Sequence, residues 1–118
     1  MPNEGQIDYI ELPGADIAAT KRFYAQAFGW RFTDYGPEYA GFKDGRAGER
    51  EAGGFSAERK VTPKGGPLVV IYAADLAAVE KKVSAAGGEI IARIEFPGGR
   101  RFHFRDPNGN ELAVWSDK

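Results

Sequence analysis

Apolar and polar positions change period along this chain twice, each time in the same order. Ile7–Leu12 carries β-branched and aromatic residues just ahead of Pro13 and Gly14, which predicts a strand. Asp16 then stands where an N-cap belongs, and Ile17, Thr20, Tyr24, Ala27 and Phe28 recur at helical spacing until Gly29 offers a stop. Trp30–Tyr35, Glu38–Phe42 and Ala52–Ser56 predict three short strands, separated by Gly36-Pro37 and by the polar segment Lys43–Glu51. The first half reads βαβββ.

The second half repeats this order. Leu68–Ala73 predicts a strand, and Asp75 caps a helix whose buried stripe is Leu76, Val79, the stem of Lys82, Val83 and Ala86. Gly87-Gly88 stops it, and Ile90–Phe96, Arg100–Arg105 and Glu111–Ser116 predict three more strands. The phrase Ala15-Asp16-Ile17-Ala18-Ala19 returns as Ala74-Asp75-Leu76-Ala77-Ala78. The offset, from 16 to 75, is 59 residues, half the 118-residue length. The repeats span about residues 5–56 and 67–117 of a single domain, 1–118, and the stretch 57–66, with Lys60, Pro63, Lys64 and a Gly-Gly pair, has the composition of a linker.

Composition narrows the partners. A chain of this length buries roughly two thirds of its unfolded surface and needs no staples. Without cysteine there is no disulfide and no thiolate ligand or nucleophile, which predicts a cytoplasmic setting. The longest apolar run, Leu68–Ala74, is far short of the ~20 residues that span a bilayer, and Met1–Gly5 lacks the basic start of a secretion signal. A net charge of −1 with interspersed signs gives no basic face for nucleic acid, so the expected partner is a small molecule or a protein. There is no Gly-x-Ser-x-Gly elbow, phosphate-binding glycine loop or dinucleotide fingerprint.

The two βαβββ units, the helix end Arg22-Phe23-Tyr24-Ala25-Gln26-Ala27-Phe28-Gly29-Trp30, the Ala86-Gly87-Gly88 stop and the Asp106-Pro107-Asn108-Gly109-Asn110 hairpin together resemble the vicinal oxygen chelate superfamily. That group takes in glyoxalase I, bleomycin-resistance proteins and extradiol dioxygenases. The resemblance implies an α+β fold in which paired modules form a cupped, incomplete barrel, commonly completed in a homodimer of chains this size. It leaves open whether modules pair within a chain or swap between chains, and it implies a pocket rather than a reaction.

In metal-dependent members the resemblance puts ligands on the first and last strands of each module. Here those positions are Tyr9, Leu68, Ala113 and Gly54, none of them a histidine or carboxylate. A transition metal needs three or four donors at about 2.0 to 2.2 Å. A phenol is a poor donor until it is deprotonated, and Leu68, Ala113 and Gly54 have no side-chain donor. The expectation is a protein with no metal and no cofactor.

Other residues carry candidate chemistry. Glu11 and Glu111 each lie two residues from a vacated ligand position and are expected to face the same cleft, as a general base or as partners of a cationic group. The bland alternative is two strand-end carboxylates in solvent. His103, the single histidine, alternates with Phe102 and Phe104. Pairing Phe104 with Glu111 and Phe102 with Ala113 turns both phenylalanines to the pocket and His103 to the opposite face with Leu112 and Val114, whereas a hairpin bulge reverses this. Tyr9, Tyr72, Phe102, Phe104 and Trp115 are expected to line the cup, although such aromatics also build ordinary cores. Arg100, Arg101 and Arg105 read either as an anion site or as a solvated strand edge. The leading expectation is a metal-free homodimer that binds a small organic molecule among Tyr9, Glu11, Gly54, Leu68, Tyr72, Phe102, Phe104, Glu111, Ala113 and Trp115. The alternative is a lyase, isomerase or dioxygenase-type enzyme using Glu11 and Glu111, with or without a displaced divalent metal that His103 helps to hold. A third reading is a dimerisation or regulatory module with a filled cup.

Overall fold

The computed structural model describes residues 4–62 and 65–118; Met1–Asn3 and, in the linker, Pro63 and Lys64 lie outside them. The first unit runs β1 (Ile10–Pro13), α1 (Ile17–Phe28), β2 (Arg31–Asp34), β3 (Tyr39–Lys43) and β4 (Gly53–Ser56). The second runs β5 (Val69–Tyr72), α2 (Leu76–Ala85), β6 (Glu89–Phe96), β7 (Gly99–Arg105) and β8 (Glu111–Ser116). Each unit makes a four-stranded mixed sheet of one pattern, β1-β4-β3-β2 and β5-β8-β7-β6, with the first and last strands parallel. The expected α+β fold and both repeats are present. β1 is shorter than the apolar pattern of Ile7–Leu12, because Ile7, Asp8 and Tyr9 have no ladder partner.

Both helices start as their sequences dictate. The carboxylates of Asp16 and Asp75 accept the N–H groups of Ala19 and Ala78, each at 3.0 Å. Gly29 closes α1 in the left-handed conformation, φ 72°, and donates to Ala25 O. Thr20, Phe23, Tyr24 and Ala27 form the buried face of α1, while α2 buries Leu76 and Val83. Lys82, expected to lay its stem along that stripe, is exposed, since it stands to the side of the line from Leu76 to Val83.

One aromatic core joins the halves. Tyr24 stacks on Trp30 at 4.8 Å and Trp30 on Phe42 at 4.3 Å, while Phe23 and Phe28 both meet Phe104 of the second sheet at 5.8 Å. The hairpin between β7 and β8 locks this core from the side. Buried Asp106 accepts the Tyr24 hydroxyl at 2.8 Å, the N–H groups of Asn108 and Asn110 at 2.9 Å, and the Asn110 amide at 3.0 Å. Asn110 also donates to Pro13 O at 2.7 Å, and Asn108 to the Thr20 hydroxyl at 2.7 Å. A carboxylate that the sequence assigns only to a turn thus fastens the second half onto β1 and α1 of the first.

The same turn corrects the register of its strands. Asp106 N–H donates to Asn110 O, and the ladder closes on Arg105 and Glu111, so five residues form the loop. Phe104 lies opposite Leu112, Phe102 opposite Val114 and His103 opposite Ala113. This is one residue away from the expected pairing, and with a two-residue period one step exchanges the faces of the hairpin. Phe102 and Phe104, expected in the cup, are fully buried under the helices. His103 takes the helix-free face with Ala113 and Glu111.

Candidate functional site

The helix-free face of the first sheet is built from β1, β3 and β4. Tyr9, just before β1, and Tyr39, at the start of β3, reach across β4 until their hydroxyls meet at 2.6 Å above Gly54. The pair can stand there because position 54 is bare: a Cβ would meet both hydroxyl oxygens at 2.4 Å, and the two side chains would have to move aside. Burial, the bond to Tyr9 and the Glu11 carboxylate, in that order, push the Tyr39 phenol far above its ordinary pKa. Either hydroxyl can donate in the Tyr9–Tyr39 bond, and the nearby Glu11 carboxylate adds to the upward push on the Tyr39 pKa. Glu11 also makes a 3.7 Å ion pair with Arg59, just beyond β4. Farther along, the Glu51 carboxylate lies over Gly41 and accepts the Tyr35 hydroxyl at 2.8 Å, which raises the Tyr35 pKa.

On the second sheet, β7 and β8 bring His103 and Glu111 together. Nδ1 of His103 is 2.7 Å from Glu111 Oε2; the ring is 8% exposed, and its Nε2 is buried with no protein partner. Because the carboxylate accepts, the proton of this bond sits on Nδ1. Arg105 lies directly opposite Glu111 but sends its guanidinium to Gly109 O at 3.4 Å. Tyr72 meets Trp115 edge-on at 5.3 Å, and its hydroxyl donates to Asp117 at 2.7 Å, which raises the Tyr72 pKa and lowers that of Asp117.

A cavity of about 440 Å³ opens where β1 and β5 approach one another. Ile10, Leu12, Pro13, Pro67 and Val69 give it apolar surface; Glu11, Glu111, Glu58, Arg59 and Lys60 give it charge. The structure therefore brings Glu11 and Glu111 to one cavity from different sheets. A second cavity of about 320 Å³ shares Ile10, Leu12 and Val69 and continues to Trp30, Phe42 and Tyr72. Leu68 and Tyr72 are substantially exposed, Trp115 is half-buried and Ala113 is buried beneath the second face. Arg100 and Arg101 border a separate cavity of about 510 Å³ beside α2. Sequence reasoning passed over Tyr39, Arg59 and Lys60. The available signal for Tyr39 was its place two residues before Gly41, on the face that β3 shares with Gly54.

The chain matches the Glyoxalase/Bleomycin resistance protein/Dioxygenase superfamily over residues 6–114. It belongs to that superfamily. A glyoxylase-like domain-containing protein of Didymella fabae is 30% identical over 126 aligned positions, covering 97% of this chain and 95% of that protein. A glyoxalase/bleomycin resistance protein/dioxygenase family enzyme from Burkholderia phytofirmans PsJN shares the fold with a TM-score of 0.78 and 20% identity, over 97% of this chain and 100% of its own. TnmS3, an antibiotic binding protein from Streptomyces sp. CB03234, has a TM-score of 0.69 and 18% identity, over 97% of each chain.

The superfamily's metal chemistry can be tested against the donors present. Of the four positions that the resemblance assigns to metal ligands, Tyr9 is bonded to Tyr39, Gly54 lies beneath both hydroxyls, and Leu68 and Ala113 are aliphatic. Among the described residues no group of three or more histidine, cysteine, aspartate or glutamate side chains is arranged to hold a metal ion, and that includes Glu11, Glu111 and His103. The donor set does not fit the metal, so no chemical step is derived through one. Among the described residues no helix is long and apolar enough to cross a membrane.

Proposed function

We propose that this protein binds a small organic molecule without a metal, at the cleft where Glu11 and Glu111 meet and along the aromatic face beside it. The observation that carries this reading is the shared cavity, in which two carboxylates from separate sheets border one apolar floor. Tyr72, which lines the neighbouring cavity and meets Trp115 edge-on, offers a ring that suits a planar or hydrophobic ligand. An antibiotic-binding protein of the same fold adds a precedent for small-molecule binding. Screening a diverse compound panel against the purified protein by thermal shift and calorimetry tests it; saturable binding is expected, and none across the panel would defeat it. Elemental analysis after incubation with Zn²⁺, Ni²⁺, Fe²⁺ and Mn²⁺ should find less than about a tenth of an equivalent retained, and near one equivalent would refute the metal-free reading.

The protein is further proposed to work in the cytoplasm as a homodimer. Val70, Tyr72 and Ile94 expose apolar surface on the helix-free side of the second sheet, and Ile7 is 82% exposed beside the first. Sedimentation at micromolar concentration should give a dimer mass; monomer alone would end that part of the proposal.

The His103–Glu111 contact favours one second reading, in which a glutamate of this cavity moves a proton on a carbonyl substrate. Turnover unchanged in both Glu11→Ala and Glu111→Ala would exclude it.

A further inference from the structure

The two carboxylates of the cavity are not equivalent. Glu11 is paired with Arg59 at 3.7 Å and stands beside the Tyr9–Tyr39 pair. Among the described residues Glu111 is held through Oε2 alone, by His103, and its Oε1 has no partner although the residue borders the cavity. His103 cannot itself reach a ligand, because Nε2 is buried and Nδ1 faces Glu111. Its effect is positional, since an imidazole wedged opposite Ala113 fixes one oxygen and leaves the other to the cavity.

The cavity also selects the sign of what fills it. Among the described residues that line it, three carboxylates, Glu11, Glu58 and Glu111, face two cations, Arg59 and Lys60, and Arg59 is already paired with Glu11. Beside them, Ile10, Leu12 and Val69 continue as shared apolar surface into the neighbouring cavity. A carboxylate oxygen next to such a strip complements an ammonium group on an apolar body, whose N–H donors complete its hydrogen bonding.

We infer that Glu111, positioned by His103, anchors the ammonium group of an organic amine whose apolar body lies along Ile10, Leu12 and Val69. This rests on the reading of the cavity as a ligand site and adds the class of ligand and the residue that selects it.

The single histidine makes the test direct. In the full-length protein labelled with ¹⁵N-histidine, the free imidazole should carry its proton on Nδ1. Titration with 2-phenylethylamine should shift the ring signals saturably, while 3-phenylpropionate should leave them in place. Glu111→Gln, nearly identical in shape, should weaken the amine about 10- to 100-fold, the range of a charge-assisted hydrogen bond. His103→Ala should weaken it severalfold, and His103→Asn, whose amide can offer an N–H near the former Nδ1, should recover most of the loss; circular dichroism checks that each variant is folded. Equal response to amine and acid, or unchanged amine affinity in Glu111→Gln, would overturn the inference. If the compound panel yields a saturable ligand that Glu111→Gln binds as tightly as the parent, the cavity remains a ligand site and only the role given to Glu111 falls.

Discussion

The β3–β4 and β7–β8 connections hold corresponding places in the two repeats and carry opposite loads. The first, from Asp44 to Ala52, is mostly exposed and is tied to its own unit: Arg46 Nε donates to Asp44 at 2.9 Å, which lowers the Asp44 pKa, Arg50 donates to Asp8 at 3.1 Å, and Glu49 and Glu51 accept from Arg31 and Tyr35. The second puts Asp106 under the core and grips α1 and β1 through Tyr24, Thr20 and Pro13. A repeat can duplicate strand order without duplicating where its stability resides. One hairpin holds the halves together, and its counterpart is fastened, through Asp8, Arg31 and Tyr35, to its own half.

The widest gap between the hairpins should appear on deleting these aspartates. Asp106→Ala leaves a buried tyrosine hydroxyl and two turn N–H groups without their acceptor and should cost about 3–5 kcal/mol in urea unfolding. Asp44→Ala removes a short-range surface ion pair and should cost no more than about 1 kcal/mol. Equal losses would show that the clamp does not bear the load assigned to it.

The Tyr24 hydroxyl sharpens this at smaller scale. Tyr24→Phe should cost about 1–2 kcal/mol at neutral pH. Burial first, and then the charge and hydrogen bond of Asp106, raise the Tyr24 pKa well above that of an unfolded tyrosine. Above about pH 10 the unfolded chain releases a phenolic proton that the fold retains. Fewer protons on the unfolded state mean that stability falls as pH rises. That loss should be shallower in Tyr24→Phe, measured by chemical unfolding between pH 8 and 11, approximate limits set by the tyrosine range.

Much of this arrangement was legible in the residues. Asp16 and Asp75 announce their helices through cap chemistry, and the 59-residue offset exposes the repeat because each unit must satisfy the same local rules. His103 was not legible in the same way. Its face depends on whether the turn holds five residues or six, a choice made by Asp106 and Asn110 pairing with each other and with the first half. Alternation along β7 is equally regular either way, so the strand pattern alone cannot choose. Tyr39 escaped because its role arises from a partner 30 residues away and from space left by a glycine on a third strand.

That glycine offers the finest contrast between the two sheets. Gly54 pairs with Gly41 in the first, as Ala113 pairs with His103 in the second. In the second sheet the polar group grows from the strand itself. In the first, Glu51 occupies the space above Gly41, and the Tyr9–Tyr39 pair occupies that above Gly54. Gly54→Ala should therefore disturb chemistry more than folding, because the atoms a new methyl meets are the far ends of side chains that can swing away. A loss of less than about 1 kcal/mol is expected, with the Tyr39 phenol returning toward ordinary behaviour as its bond to Tyr9 is broken. Ultraviolet titration of the tyrosines, compared with Tyr39→Phe, resolves that change: one more phenol should ionise below the unfolding transition in Gly54→Ala. An unaltered titration curve would mean that the hydroxyl pair does not depend on the bare position beneath it.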